Sequence, residues 1–188
     1  MLARHVLQNY LKYQNPNNIT QKDISMIQNR DYYVVTEINP GKSHDEYSLM
    51  PIYTQLPNLG IIVSRKNKKL PKDGFVITGQ DFPEGSIVQL VKDKIQKPIY
   101  KESYEEFVVL SSEKVLSRVD DQFYTNVWMF GSKSGKQFSQ IHESSPLFET
   151  IKRGDLVVAD TADVDYPIIR NLTTESMISE LVQRQYEY

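Results

Sequence analysis

The sequence predicts an α+β fold: a mainly antiparallel β-sheet, or a partly open barrel or sandwich, with two short N-terminal helices and one C-terminal amphipathic helix. Three observations carry this. Apolar runs of strand length recur through residues 31–170, the best formed between Phe107 and Asp160. Glycine- and proline-bearing turns separate those runs. Apolar residues at helical spacing occur only near the two ends of the chain.

The N-terminal end shows Leu2, Val6, Leu7, Tyr10 and Leu11 at four- and three-residue spacings, one face of a first helix. Asn15-Pro-Asn-Asn18 ends it. Thr20 and Asp23 form a capping-box pattern with Asp in place of Glu, and Ile24 and Ile27 give a second, short helix a buried side. From Asp31 the period changes. Tyr32-Tyr-Val-Val35 reads as a strand leading into Asn39-Pro-Gly-Lys-Ser43. A phosphate-binding loop would need glycine five places before Gly41, where Thr36 stands, and a helix afterwards, where Pro51 and Pro57 fall. The stretch therefore reads as an Asn-Pro-Gly turn.

Leu59–Val63 is a further strand, followed by Arg65-Lys-Asn-Lys-Lys-Leu-Pro-Lys72, five basic residues in eight. This basic loop, Arg65, Lys66, Lys68, Lys69 and Lys72, is a candidate contact for nucleic-acid phosphates or for a protein partner. Lys72-Asp-Gly74 precedes the strand Phe75–Ile77, and Pro83-Glu-Gly85 precedes Ile87–Val91. Pro98 and the segment Tyr100–Phe107, with Glu102, Glu105 and Glu106, read as a connector or a short helical turn.

In the centre, Phe107-Val-Val-Leu110 and Phe123–Phe130 are strands. Gly131-Ser-Lys-Ser-Gly135 with Gln137–His142 makes the second of them a hairpin with a longer loop. Lys152-Arg-Gly154-Asp supplies a turn, and Leu156-Val-Val-Ala159 is apolar throughout, as a strand buried on both faces would be. Thr173 or Thr174 can cap a last helix, 173–186, in which Met177, Ile178, Leu181 and Val182 share a face.

The length of 188 residues fits a single domain, residues 1–188, which buries about 70% of its unfolded surface without a covalent staple. Zero cysteines exclude disulfides, thiolate metal sites and cysteine nucleophiles, and fit a reducing compartment. No apolar run approaches the ~20 residues of a membrane span, and Met1–Leu7 lacks the pattern of a secretory leader. The expectation is a cytoplasmic or virion protein with no membrane partner. The net charge of -2 conceals an asymmetry: residues 62–101 hold nine basic and four acidic groups, residues 102–188 eight basic and fifteen acidic. Such polarity suits packing against other copies or against unlike subunits.

The sequence carries no recognisable catalytic pattern. His5, His44 and His142 are far apart, no acidic residue stands two places before a lysine, and Gly131-Ser-Lys-Ser-Gly135 has lysine where a nucleophile elbow needs serine. Asp155, Asp160, Asp163 and Asp165 could offer oxygens to a hard cation, but their spacings do not match the calcium loop. They read as an acidic, solvated surface for a partner. No cofactor or metal is expected.

One stretch, Gly154-Asp-Leu-Val-Val-Ala-Asp-Thr-Ala-Asp163, resembles a segment in some specificity subunits of type I restriction enzymes, where a similar strand and acidic turn lies in a DNA-reading domain. It covers about ten residues, and what it implies is contact with nucleic acid. The leading expectation is a non-enzymatic structural or interaction subunit of a larger assembly, such as a viral or phage particle component. The alternatives are a nucleic-acid-binding module using residues 65–72, and a small enzyme with a carboxylate site.

Overall fold

The computed structural model describes residues 32–53, 57–64, 74–77 and 81–185. The two N-terminal helices and the basic loop 65–72 lie outside these residues. The chain divides into two compact units, Met1–Ile99 with Met177–Tyr188, and Tyr100–Ser176.

The first unit is built on a closed barrel of six strands: β1 (Tyr32–Pro40), β2 (Asp45–Pro51), β3 (Leu59–Ser64), β4 (Phe75–Ile77), β5 (Ile87–Val91) and β6 (Lys94–Gln96), in the order β1-β2-β3-β4-β6-β5. Closure removes the open edges that an unclosed sheet would leave. Four of the neighbouring pairs are antiparallel, but β3–β4 and β4–β6 are parallel. In β2 the burial alternates as a strand's side chains do: Asp45, Tyr47, Leu49 and Pro51 are buried and the residues between them are not. Tyr47, Leu49, Val63, Phe75, Val88, Leu90 and Ile95 fill the interior. Gly41–His44 connects β1 to β2 as a hairpin, and Asn39 and Pro40 of the expected turn are the last residues of β1, with Pro40 paired to Asp45 and the Gly41 amide donating to Asp45 Oδ1 at 3.3 Å.

The second unit is a five-stranded antiparallel sheet of β7 (Tyr104–Leu116), β8 (Phe123–Gly131), β9 (Gly135–His142), β10 (Leu156–Asp160) and β11 (Ile168–Asn171), in the order β11-β10-β7-β8-β9. The β body is therefore a closed barrel and a separate sheet, in place of one partly open barrel or sandwich. The strand β10, flanked by β11 and β7, behaves as its composition predicts: Val157, Val158 and Ala159 are all fully buried. By contrast, β7 begins at Tyr104, so Glu105 and Glu106 belong to a strand and not to a connector or a helical turn.

The helix α1 (Leu172–Arg184) follows β11 directly. Its cap is Asn171, whose Oδ1 accepts the Thr174 amide at 3.2 Å; the expected Thr173 instead accepts the Leu156 amide on its hydroxyl at 2.8 Å. Within the first unit, Ser179 donates to the Gly85 carbonyl at 2.6 Å, and Gln183 lies where a side chain at Gly85 would be, so glycine is required at this turn, where φ is 90°. That orientation buries Val182 and leaves Met177 and Leu181 exposed, so the four apolar residues do not share a buried face.

A candidate interaction face on the five-stranded sheet

Side chains alternate across β7, β8 and β9, and both sets are apolar where the three strands meet. The inner set, Phe107, Val109, Val127, Met129 and Ile141, is buried. Leu147 and Ile151, from the connection between β9 and β10, belong to the same buried set. That connection is tied down by Ser112 donating to the Ile151 carbonyl and Thr125 to the Phe148 carbonyl, each at 3.2 Å. The outer set is Val108, Leu110, Trp128, Phe130 and Phe138, each between 36% and 52% exposed.

The register makes these five contiguous. Val108 pairs with Phe130, and Trp128 with Phe138. A bulge between Val109 and Ser111 adds one residue to β7, which turns both Leu110 and Ser111 outward opposite Trp128 and returns Ser112 to the inner side. The Trp128 and Phe138 rings lie 5.0 Å apart at 55°, and Lys136 places its ammonium 4.9 Å from the indole centroid. Beyond this patch the face turns polar, with Gln140 donating to Asn126 Oδ1 at 2.8 Å. His142 stands opposite Tyr124 in the next row. Its Nδ1 accepts the Ser144 amide at 3.1 Å, so its Nε2 carries the proton and donates to Gln122 Oε1. The imidazole thereby holds the turn that leaves β9.

The hairpin that carries Trp128 and Phe138 is closed by Glu105. Its Oε1 accepts the amides of Lys133 at 2.8 Å and Ser134 at 3.1 Å, and its Oε2 accepts the Ser134 hydroxyl. Partial desolvation pushes this carboxyl up, but the hydrogen bonds from Ser134 and Lys133 outweigh it and hold Glu105 below the usual carboxylate range. A lowered native value means the stabilisation is fully present above the unfolded pKa of about 4.3 and is lost as pH falls through the lower native value. Glu105→Gln should cost about 1 kcal/mol at neutral pH, given how exposed the contact is, and the difference from wild type should vanish in strong acid. Urea unfolding at a series of pH values measures this; an unchanging gap would contradict it.

The sequence-predicted acidic positions lie elsewhere in this unit. Asp155 Oδ2 accepts the Lys152 amide and the Asn171 side-chain amide, each at 2.9 Å. Asp160 accepts the Ala162 amide and Asp163 the Asp165 amide, each at 3.0 Å, as local turns do. Asp163 and Asp165 are exposed. Among the described residues no group of three or more His, Asp or Glu is placed to hold a metal. Arg65, Lys66, Lys68, Lys69 and Lys72 lie outside the described residues.

The exposed face has a sequence signal of its own. Phe107-Val-Val-Leu110 and Val127-Trp-Met-Phe130 are apolar at successive positions, so each strand has apolar side chains on both faces. An antiparallel sheet with one apolar face too many has a surface left to cover. Comparison with family models, with curated proteins and with solved structures finds no match to this chain.

Proposed function

We propose that the chain is a non-enzymatic interaction subunit of a larger assembly, and that the outer face of the five-stranded sheet docks an unlike protein subunit presenting apolar side chains inside a basic rim. The observation that carries this reading is the contiguous patch of Val108, Leu110, Trp128, Phe130 and Phe138. Fully burying one such side chain is worth about 1.5–3 kcal/mol, so completing the burial of five half-exposed ones is worth on the order of 5 kcal/mol before the costs of association. The basic rim follows from charge: residues 100–176 hold eight basic and thirteen acidic groups.

A nucleic-acid-binding module is the second reading, favoured by the Trp128–Phe138 pair with Lys136 beside it, a stacking surface with one cation. The acidic excess of the same unit opposes it, since phosphate binding draws on clustered cations.

Trp128 is the chain's single tryptophan, so its emission reports on the face without labelling. Titration with a Lys/Arg-rich amphipathic peptide should shift that emission to shorter wavelength. Phe130→Glu should weaken the peptide at least about tenfold, as loss of a central apolar anchor does. A response to single-stranded oligonucleotide, weakening with salt, and none to the peptide would overturn the docking reading in favour of the second.

A further inference from the structure

We propose that two copies of the chain pair through β9, antiparallel about a two-fold axis at Ser139, to join their five-stranded sheets into one. The inference deepens the assembly reading and rests on it, but uses the sheet's edge and not its outer face.

Of the two edges, β11 is four residues long and runs straight into α1, whereas β9 is eight residues long, without proline, and pairs with β8 without a bulge. Among the described residues no strand pairs with its far side. The Glu143 amide donates to the Phe123 carbonyl at 3.0 Å, which makes that pair a hydrogen-bonded one. Bonded and non-bonded pairs alternate along a regular antiparallel ladder, so Gln137, Ser139 and Ile141 turn their backbone groups towards β8. Lys136, Phe138 and Gln140 turn theirs to the open edge, as does the amide of His142, whose carbonyl accepts the Ser145 amide at 2.9 Å; such an edge is the template that strands offer to another chain.

One register satisfies the open groups of these residues. It sets Lys136 against His142 of the second copy and Phe138 against Gln140 of the second copy, four pairs that exchange about six hydrogen bonds in total, since each His142 carbonyl is taken up within its own chain. No carboxylate lies within β9, and this register opposes no two like charges, so the acidic excess of the unit does not meet itself at the seam. The register also carries the apolar outer face, through Phe138, across the junction.

A second observation points to the same axis. Ser139 is 1% exposed, and its hydroxyl is the buried side-chain group without a hydrogen-bond partner among the described residues. Buried hydroxyls are rarely left so. In this register Ser139 faces Ser139 of the second copy as a non-hydrogen-bonded pair, the arrangement in which cross-strand side chains come closest, and each hydroxyl can donate to or accept from the other.

The test uses the full chain. Light scattering should give about twice the 21.8 kDa of one chain, and Gln140→Pro, which removes an outward amide and the exposed Gln140–Asn126 side-chain contact but no β8–β9 backbone bond, should return the mass to one chain. Because the chain has no cysteine, Ser139→Cys should form a disulfide-linked dimer on mild oxidation, its Cα separation of about 4.5 Å falling in the permitted range. Gln137→Cys, which faces Ile141 of the second copy, should not. A one-chain mass across the micromolar range overturns the proposal, as does a dimer that is indifferent to Gln140→Pro and yields no Ser139→Cys disulfide. A monomer whose Trp128 still responds to the basic peptide defeats the dimer alone; a dimer whose Trp128 responds to nothing defeats the docking face alone.

Discussion

Glu175→Ala should destabilise the protein by about 3–5 kcal/mol, because it strands a buried charge. Arg170 donates from Nε to Glu175 Oε1 at 3.1 Å and from Nη2 to Oε2 at 2.9 Å, a two-point contact whose side chains are 13% and 4% exposed. Arg170 belongs to β11, and Glu175 to the first turn of α1, where a carboxylate is also favoured by the helix dipole. Removing the carboxylate takes away the two-point contact that the mostly buried guanidinium makes with it. Replacing both residues with apolar side chains of similar volume should cost far less, since neither charge is then buried alone. The midpoint of urea unfolding, at unchanged slope, gives the comparison. A cost below about 1 kcal/mol for the single variant would show that the pair is solvated.

The second large effect lies under the exposed apolar face of the five-stranded sheet. Phe107→Ala should cost about 3–5 kcal/mol, since the ring is fully buried in the inner layer of the sheet. Gly131→Ala should cost about 1–3 kcal/mol by the opposite route. A Cβ there would lie 2.6 Å from Glu105 Oε1 and 2.7 Å from the Phe107 ring, so the hairpin turn, the carboxylate that closes it and a core aromatic would all have to move. The two substitutions share a neighbour and should not add. With the Phe107 ring gone, part of the Gly131→Ala clash is relieved, and the double variant should be more stable than the two single costs together imply. Simple additivity would mean that the clash with Glu105 dominates.

How far the sequence reached depended on whether the determining contacts were local. The strands at 107–110, 123–130, 137–142 and 156–159 were legible because β-branched and aromatic runs met turns with glycine at defined places. One of these is Gly135, with φ 73° at the end of the β8–β9 turn. The last helix was legible from periodicity, but its cap was read at Thr173 or Thr174 when Asn171, outside the periodic stretch, holds that position. Barrel closure was not legible. It depends on β4 and β6, three residues each, and on the parallel pairings Val63 with Phe75 and Ile77 with Ile95, contacts that no local pattern specifies. The start of β7 was hidden for a related reason. Glu105 and Glu106 are poor strand formers, and Glu105 takes its place through a hairpin turn 28 residues away.

The candidate face divides along the same line. Charge runs and acidic spacings stand out in a sequence, and they drew attention to residues 65–72 and to Asp155, Asp160, Asp163 and Asp165. The apolar patch needs the register to become a patch, since Leu110, Trp128 and Phe138 come from three strands and meet only through the pairing of β7 with β8 and of β8 with β9. Its trace in the sequence was the pair of runs apolar at every position.

The central claim is that this face is open in the free chain and covered when the chain is docked. The most direct measurement is acrylamide quenching and the emission maximum of Trp128, first at high dilution and then with the basic peptide bound. The account predicts long-wavelength emission and ready quenching in the free chain, with a blue shift and protection on docking. A Trp128 already blue-emitting and shielded at high dilution would mean that the chain covers the face itself, and the claim would fall.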